Sequence, residues 1–469
     1  MMKYGTEDKN KVREDWLPRP FHSWMTMAAC MWLGQFPLLQ FGSYSTITKD
    51  KWWIMLLLMG MTVGCFFMDL MAHKTRKPTR APLIVAGLLY FCIVISCLMS
   101  GEDSSVWWTG SFARFEGLLT QLCYFLLFIL FSYAEVERKA LVFWTSVGVL
   151  LFGSVVILQR LGQNPFHLYP MGTSIMTNPE FQGTIGNIDM CTGYLVLIFG
   201  FLCTDFLQIL LLPQKRGGND NIQNKTNPVA ILLTLAALVT ILYLIISMGV
   251  QFGIVALGGY VLYLLLTRIH RRFRLFVFLL VMMLALMIAW FYPYDEGGLW
   301  ELHEIMRGRP QLSFGSNRIG AWFYSLKLGQ TKWLWGGGSG TFMKRFSSYL
   351  IVNGFTIPSS QGNIPIPTTF DSPHNEYIAM FVNHGLPAAI FFLALIMWFV
   401  MPPLLKKDRF LQIGNQDHIY IEKSQDQYIM WMNLAAAIVN YGIQMFFSFS
   451  VCIVSPLFWI IMGIAASRK

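Results

Sequence analysis

The sequence predicts an all-α polytopic membrane protein with about twelve transmembrane helices and one large external loop between spans nine and ten. Three observations predict it. Of the 469 residues, 55% are hydrophobic and only 13% charged, where soluble domains carry about 25% charged residues. The apolar residues fall in blocks of roughly 17–25, the length that crosses a ~30 Å hydrocarbon layer. Lysine and arginine gather in short loops on alternate sides, which accounts for the net charge of +10 without a nucleic-acid partner. The eight cysteines lie in or beside apolar blocks, with none at C-x-x-C spacing, so they read as small buried side chains. The polar start of the chain, mixed in charge over about 20 residues, does not read as a cleavable signal peptide.

Taken in order, the first spans run from about Ser23 to Tyr44, Trp52 to Leu70 and Ala81 to Ser100. The basic run His73–Lys77 and Arg80 between spans two and three is assigned to the cytoplasm. Trp107 and Trp108 suit an outer interfacial belt in the loop 101–116. Spans four to six follow at about Leu118–Ala134, Ala140–Leu158 and Ile188–Leu212, with a polar outer loop before the sixth and a basic inner loop, Gln214 to Asn227, after it. Spans seven to nine are about Pro228–Ile246, Gly253–Leu266 and Leu275–Tyr292, with Arg268, Arg271, Arg272 and Arg274 marking the inner side. The long loop, Pro293 to Pro373, is external by this count. Within it Leu299–Met306, Asn317–Leu328 and Thr341–Leu350 read as helices, the second capped by Ser316, and Asn353–Thr369 as loop. Span ten, about Leu386–Leu404, leads to the basic Lys406–Arg409. Spans eleven and twelve, about Ile429–Phe447 and Val451–Ala466, form a closing hairpin, leaving both termini inside. The expected division is an N-terminal helical part over 1–182, a core over 183–405 that includes the loop 293–373, and a C-terminal part over 406–469.

Chemistry concentrates in Asp371-Ser372-Pro373-His374-Asn375-Glu376-Tyr377. Ser372 fits a helix N-cap and Pro373 the first helical position. His374 is then expected in the first turn, where the helix dipole favours the neutral imidazole, a proton acceptor. Tyr377, Ile378 and Phe381 would continue its face. The competing reading is a structural histidine bonded to a loop carbonyl. Arg114, Arg160, Arg307, Arg309 and Arg318 form a second set at the outer surface, where a guanidinium fork matches phosphate oxygens. Arg318 stands out because it too sits at an expected helix start. His384, followed by Gly385 and Pro387, reads as a helix stop. Gly336–Gly340 lacks the Gly-Lys-Ser/Thr ending of a phosphate loop and reads as a flexible turn. No carboxylate cluster suggests a metal, and no cofactor is expected.

Ser372–Tyr377 with Asn383-His384-Gly385-Leu386-Pro387-Ala388, and Asn317–Trp322 with Trp335–Phe342, resemble the signature region of the O-antigen ligase and polymerase superfamily. Gly183–Tyr194 is similar to the start of its shared domain, and the likeness covers about Gly183 to Val400. The resemblance implies a membrane glycosyltransferase of the all-helical C-type fold. It would take a glycan from undecaprenyl diphosphate at the outer face of the cytoplasmic membrane and pass it to a lipid- or glycan-linked acceptor, in surface polysaccharide biosynthesis of a bacterial envelope. It implies a loop histidine matching His374 and a diphosphate-contacting arginine matching Arg318. Asn375 and Tyr377 are candidate substrate contacts. A second family arginine, after span seven, is replaced by Met248; Arg114 or Arg160, or more weakly Gln251, would take its place. A repeat-unit polymerase, a protein O-glycosylating enzyme, a polysaccharide or lipid transporter and a non-catalytic scaffold are the alternatives. The few ionisable residues and the lack of repeats count against the transporter.

Overall fold

The computed structural model describes residues 22–111, 114–211, 228–353, 356–359, 362–365, 370–405 and 418–467. The polar start of the chain, the inner loop Gln214–Asn227 and the basic Lys406–Arg409 lie outside the described residues. The chain is a mostly helical, multi-pass membrane protein. Eight described helices are long and apolar enough to cross a membrane: α2 (Ile47–Met71), α3 (Arg80–Leu98), α6 (Arg138–Arg160), α7 (Ile188–Leu211), α8 (Pro228–Met248), α9 (Gln251–Arg268), α10 (Arg271–Trp290) and α14 (Glu376–Leu405). Two apolar helices are shorter, α5 (Leu118–Ser132) and α16 (Ser455–Ala466). α15 (His418–Gln444) occupies the eleventh expected span, and α1 (Trp24–Cys30) opens the first.

The first span is broken where a continuous helix was expected. α1 passes into a π turn over Met31–Gln35 and a 3-10 turn over Phe36–Leu38. Pro37 has no N–H to give the carbonyl four residues back, and the Tyr194 hydroxyl donates to that Leu33 oxygen at 3.3 Å. The buried Lys51 ammonium donates to the carbonyls of Phe36 and Pro37 at 3.0 and 2.9 Å. At the other end of α1, Asp69 accepts from the backbone N–H groups of Trp24 and Met25 and from the Ser23 hydroxyl. These in-membrane charges are thus satisfied by broken or capped helix ends.

The core is centred on α7, almost wholly buried and packed along α15. Gly200 allows that approach, because a side chain there would strike the Ala436 backbone. α3 packs on α14 and α5 on α16, whereas α10 buries only Ala289.

The extramembrane pieces are α4 (Ser104–Thr109), α11 (Gly297–Met306), α12 (Arg318–Thr331) and α13 (Phe342–Asn353). Two small antiparallel hairpins join them, β1 (Phe181–Gln182) with β2 (Gly186–Asn187), and β3 (Thr356–Ser359) with β4 (Gly362–Pro365). The second hairpin corrects the expectation of unstructured loop over Asn353–Thr369. The three helices expected in the long loop are present.

α14 also corrects two expectations. Gly385 does not stop the helix but kinks it, with φ at +83°. Pro387 cannot donate to Asn383, and the Leu386 N–H donates to Trp333 O instead of Val382 O. The two carbonyls so freed are taken by the glycine run: Gly337 N–H donates to Val382 O at 3.2 Å and Gly338 N–H to Asn383 O at 2.8 Å. Gly336–Ser339 is therefore a buried strap across the kink, not the flexible turn expected of it.

Candidate functional site

The loops assigned to one side of the membrane converge at one end of the bundle. Arg114, just ahead of α5, reaches Asp371, ahead of α14, and Glu376 at the start of α14 reaches Ser450, between α15 and α16. Arg318 at the start of α12 reaches Asp189 in the first turn of α7.

His374 does not lie in the first helical turn. α14 begins at Glu376, and His374 sits two residues earlier with φ at +51°. The true cap is Asn375, whose side-chain oxygen accepts from Ile378 N–H at 3.1 Å. Ser372 Oγ instead accepts from the backbone N–H of His374 itself at 3.1 Å. Tertiary contacts decide the start: Glu376 N–H donates to Met445 O at 2.9 Å, and its carboxylate accepts from Ser450 N–H at 2.6 Å. The dipole argument for a neutral His374 therefore falls.

The imidazole is kept neutral by other means. Its ring packs edge-on against Phe449 at 4.9 Å and Phe370 at 5.9 Å between centroids. Burial lowers its pKa first, and the cations Arg114 and Arg318 lower it further, while Asp371 pulls it back up; the outcome is about 4 instead of 6.5. Nδ1 is buried with no hydrogen-bond partner among the described residues.

Arg114 grips Asp371 with both prongs of its guanidinium, Nε lying 2.5 Å from Oδ2. The guanidinium carbon also sits 3.4 Å from the centroid of the Phe449 ring, so Phe449 is wedged between the arginine and the histidine. Arg318 pairs with Asp189 at 3.2 Å and lies 4.7 Å from the centre of the Phe252 ring. Burial pulls Arg318 below its ordinary value, against the upward push of Asp189. Its cap residue is Asn317, in the left-handed region, and not the expected Ser316.

The structure thus brings His374, Arg318 and Arg114 within electrostatic reach of one another. Arg160 is engaged elsewhere, donating to Gln182 at 3.1 Å and Tyr243 at 3.3 Å. Gln251 is exposed at the start of α9, beside Gly298. Asn375 serves as a cap, and the Tyr377 hydroxyl donates to Gly442 O at 2.7 Å, tying α14 to α15. Both have structural partners in view. Sequence reasoning missed Asp189, Phe252 and Phe449. Asp189 lay within the stretch Gly183–Tyr194, a polar signal at a helix start, whereas the two phenylalanines carry no local mark.

Two cationic groups around a neutral histidine at a helix-bundle end can hold a dianionic group and accept a proton beside it. Comparison with known families finds one match: residues 233–393 fit the family model described as O-Antigen ligase. No curated protein matches the chain. The matched segment contains Arg318 and His374 and falls within the stretch, about Gly183 to Val400, where the sequence resembles that family. Over residues 233–393, about a third of its length, the chain is therefore similar to the O-antigen ligase family.

Proposed function

We propose that the protein transfers a glycan from undecaprenyl diphosphate to an acceptor hydroxyl at the outer face of the cytoplasmic membrane. The observation that carries this is a neutral His374 flanked by Arg114 and Arg318. The acceptor oxygen attacks the anomeric carbon of the donor sugar, and His374 takes the hydroxyl proton. The bond from that carbon to the diphosphate oxygen breaks, and its electron pair leaves on the diphosphate. Arg318 and Arg114 stabilise the negative charge that builds there. Arg114 fills the role left open by Met248, since its guanidinium is the second cation acting on His374. A diphosphate between the two arginines would offset their charge and raise the basicity of His374 when donor is bound.

Replacing His374 with alanine or glutamine is expected to slow glycan transfer by about 10²–10⁴-fold, the usual contribution of a general base. The assay uses purified protein and a polyprenyl-diphosphate-linked glycan. Turnover at the wild-type rate in a folded His374→Gln protein removes the residue from the chemistry.

A further inference from the structure

The segment Phe446–Phe449, between α15 and α16, touches every cation of the site and its histidine through aromatic rings. Phe449 lies between Arg114 and His374, its ring centre 3.4 Å from the guanidinium carbon and 4.9 Å from the imidazole centroid. Phe447 stacks on Phe252 at 5.9 Å between centroids, and Arg318 lies 4.7 Å from the centre of that same Phe252 ring. Phe446 and Phe447 also pack against Trp322, one turn beyond Arg318 on α12, at 5.4 and 6.2 Å. Because α15 ends at Gln444, these rings are carried on turn backbone, and a contact from elsewhere has to fix where they lie.

Glu376, which the reaction above leaves unused, fastens the segment at both ends. Its backbone N–H, free of helical bonding at the start of α14, donates to Met445 O at 2.9 Å. Its buried carboxylate accepts from Ser450 N–H at 2.6 Å. Met445 and Ser450 are the residues that immediately flank Phe446–Phe449. The main-chain bond survives any side-chain replacement, whereas the bond to Ser450 depends on reach and needs only an oxygen acceptor. Arg114 and Glu116 face the carboxylate from the segment ahead of α5, Tyr90 from α3, Tyr377 from α14 and Tyr441 from α15. The charged groups that shift His374 are Arg114, Arg318 and Asp371. An influence of Glu376 on the imidazole therefore runs through the segment it holds.

We propose that Glu376 is a positioning residue of this site: by holding Phe446–Phe449 at both ends, it sets the rings against which Arg114, Arg318 and His374 are placed. This deepens the transfer reading and rests on it for the site's part in catalysis. The effect on His374 is exerted through burial. Phe449 covers the imidazole, and burial is the largest cause of its lowered pKa. Slack in the segment would admit water to the ring and raise that value.

Two conservative substitutions separate reach from charge. Glu376→Gln removes the charge and keeps an oxygen at the same reach, whereas Glu376→Asp keeps the charge and shortens the reach by one carbon. The imidazole is followed by carbon-13 NMR on the histidine-labelled full chain in lipid nanodiscs, its resonance assigned by its loss in His374→Gln. Glu376→Gln is expected to leave the titration at about 4, and Glu376→Asp to raise it to about 5 or above. Phe449→Leu is expected to raise it likewise, and adding Glu376→Asp to Phe449→Leu to raise it little further, since the two act through one contact. An unmoved titration in Glu376→Asp, a rise in Glu376→Gln as large as that in Glu376→Asp, or a full additional rise in the double variant would each overturn the assignment. The titration needs no turnover. If it behaves as expected while the acid limb of kcat/KM for glycan transfer does not follow it, the general-base reading of His374 falls and the hold of Glu376 on the rings stands.

Discussion

At the scale of single residues, the site is governed by what surrounds His374. With its pKa held near 4, the free enzyme keeps a neutral imidazole through the physiological range. The acid limb of kcat/KM is therefore expected as pH falls through about 4. Arg114→Ala removes a cation that disfavours the imidazolium, so the limb should move up toward 6.5; Asp371→Asn removes an anion that favours it, so the limb should move down. A limb that stays in place in both variants would assign it to another group. The same depression makes the unfolded chain bind more protons than the folded one between those values. His374 thus contributes stability above pH 6.5 that is lost as pH falls toward 4. Arg318 and His374 were legible in the sequence because each is a polar residue beside a helix start. The choice between Arg114 and Arg160 was not, because Arg114 meets Asp371 across 257 positions of chain and such a contact leaves no local pattern.

At the scale of elements, most helices were legible and their ends were not always so. The seventh helix begins at Ile188 as expected, because polar loop gives way sharply to apolar sequence. The start of α14 was misplaced because Ser372 and Asn375 are both good caps, and only the contacts of Glu376 with Met445 and Ser450 separate them. The β3–β4 hairpin was hidden by Pro358 and Pro365, which a two-stranded ribbon tolerates at its edges. The kink in α14 gives the sharpest prediction. A side chain at Gly385 would lie 2.1 Å from Leu334 O at a φ disfavoured for it. Gly385→Ala is expected to cost about 2–4 kcal/mol and to lower the thermal midpoint of the solubilised protein. An unchanged midpoint would mean that the strap is not holding the kink.

At the scale of the molecule, the membrane class followed from composition and block length, which depend on no tertiary detail. The assembly of the site did not follow, because it requires loops from both halves of the chain to meet at one end of the bundle. If that end is external, a cysteine introduced at Met343 should react with a membrane-impermeant maleimide added to intact cells. One at the exposed Lys77, on the opposite basic loop, should react only after permeabilisation. The reverse pattern would invert the proposed topology and exclude a donor presented outside.

The convergence of distant loops has a further consequence for how such enzymes diversify. His374 and Arg318 lie inside the segment 233–393, but Arg114, Asp189 and Phe449 lie outside it. A recombination event that swapped only that segment would carry the proposed base and one arginine into a foreign frame, without the cation, the anion and the ring that surround them. On the proposed mechanism the unit of activity is then larger than that segment. Changes in the flanking parts, around Arg114 and Phe449, would alter the surroundings of His374 while that residue itself stays fixed.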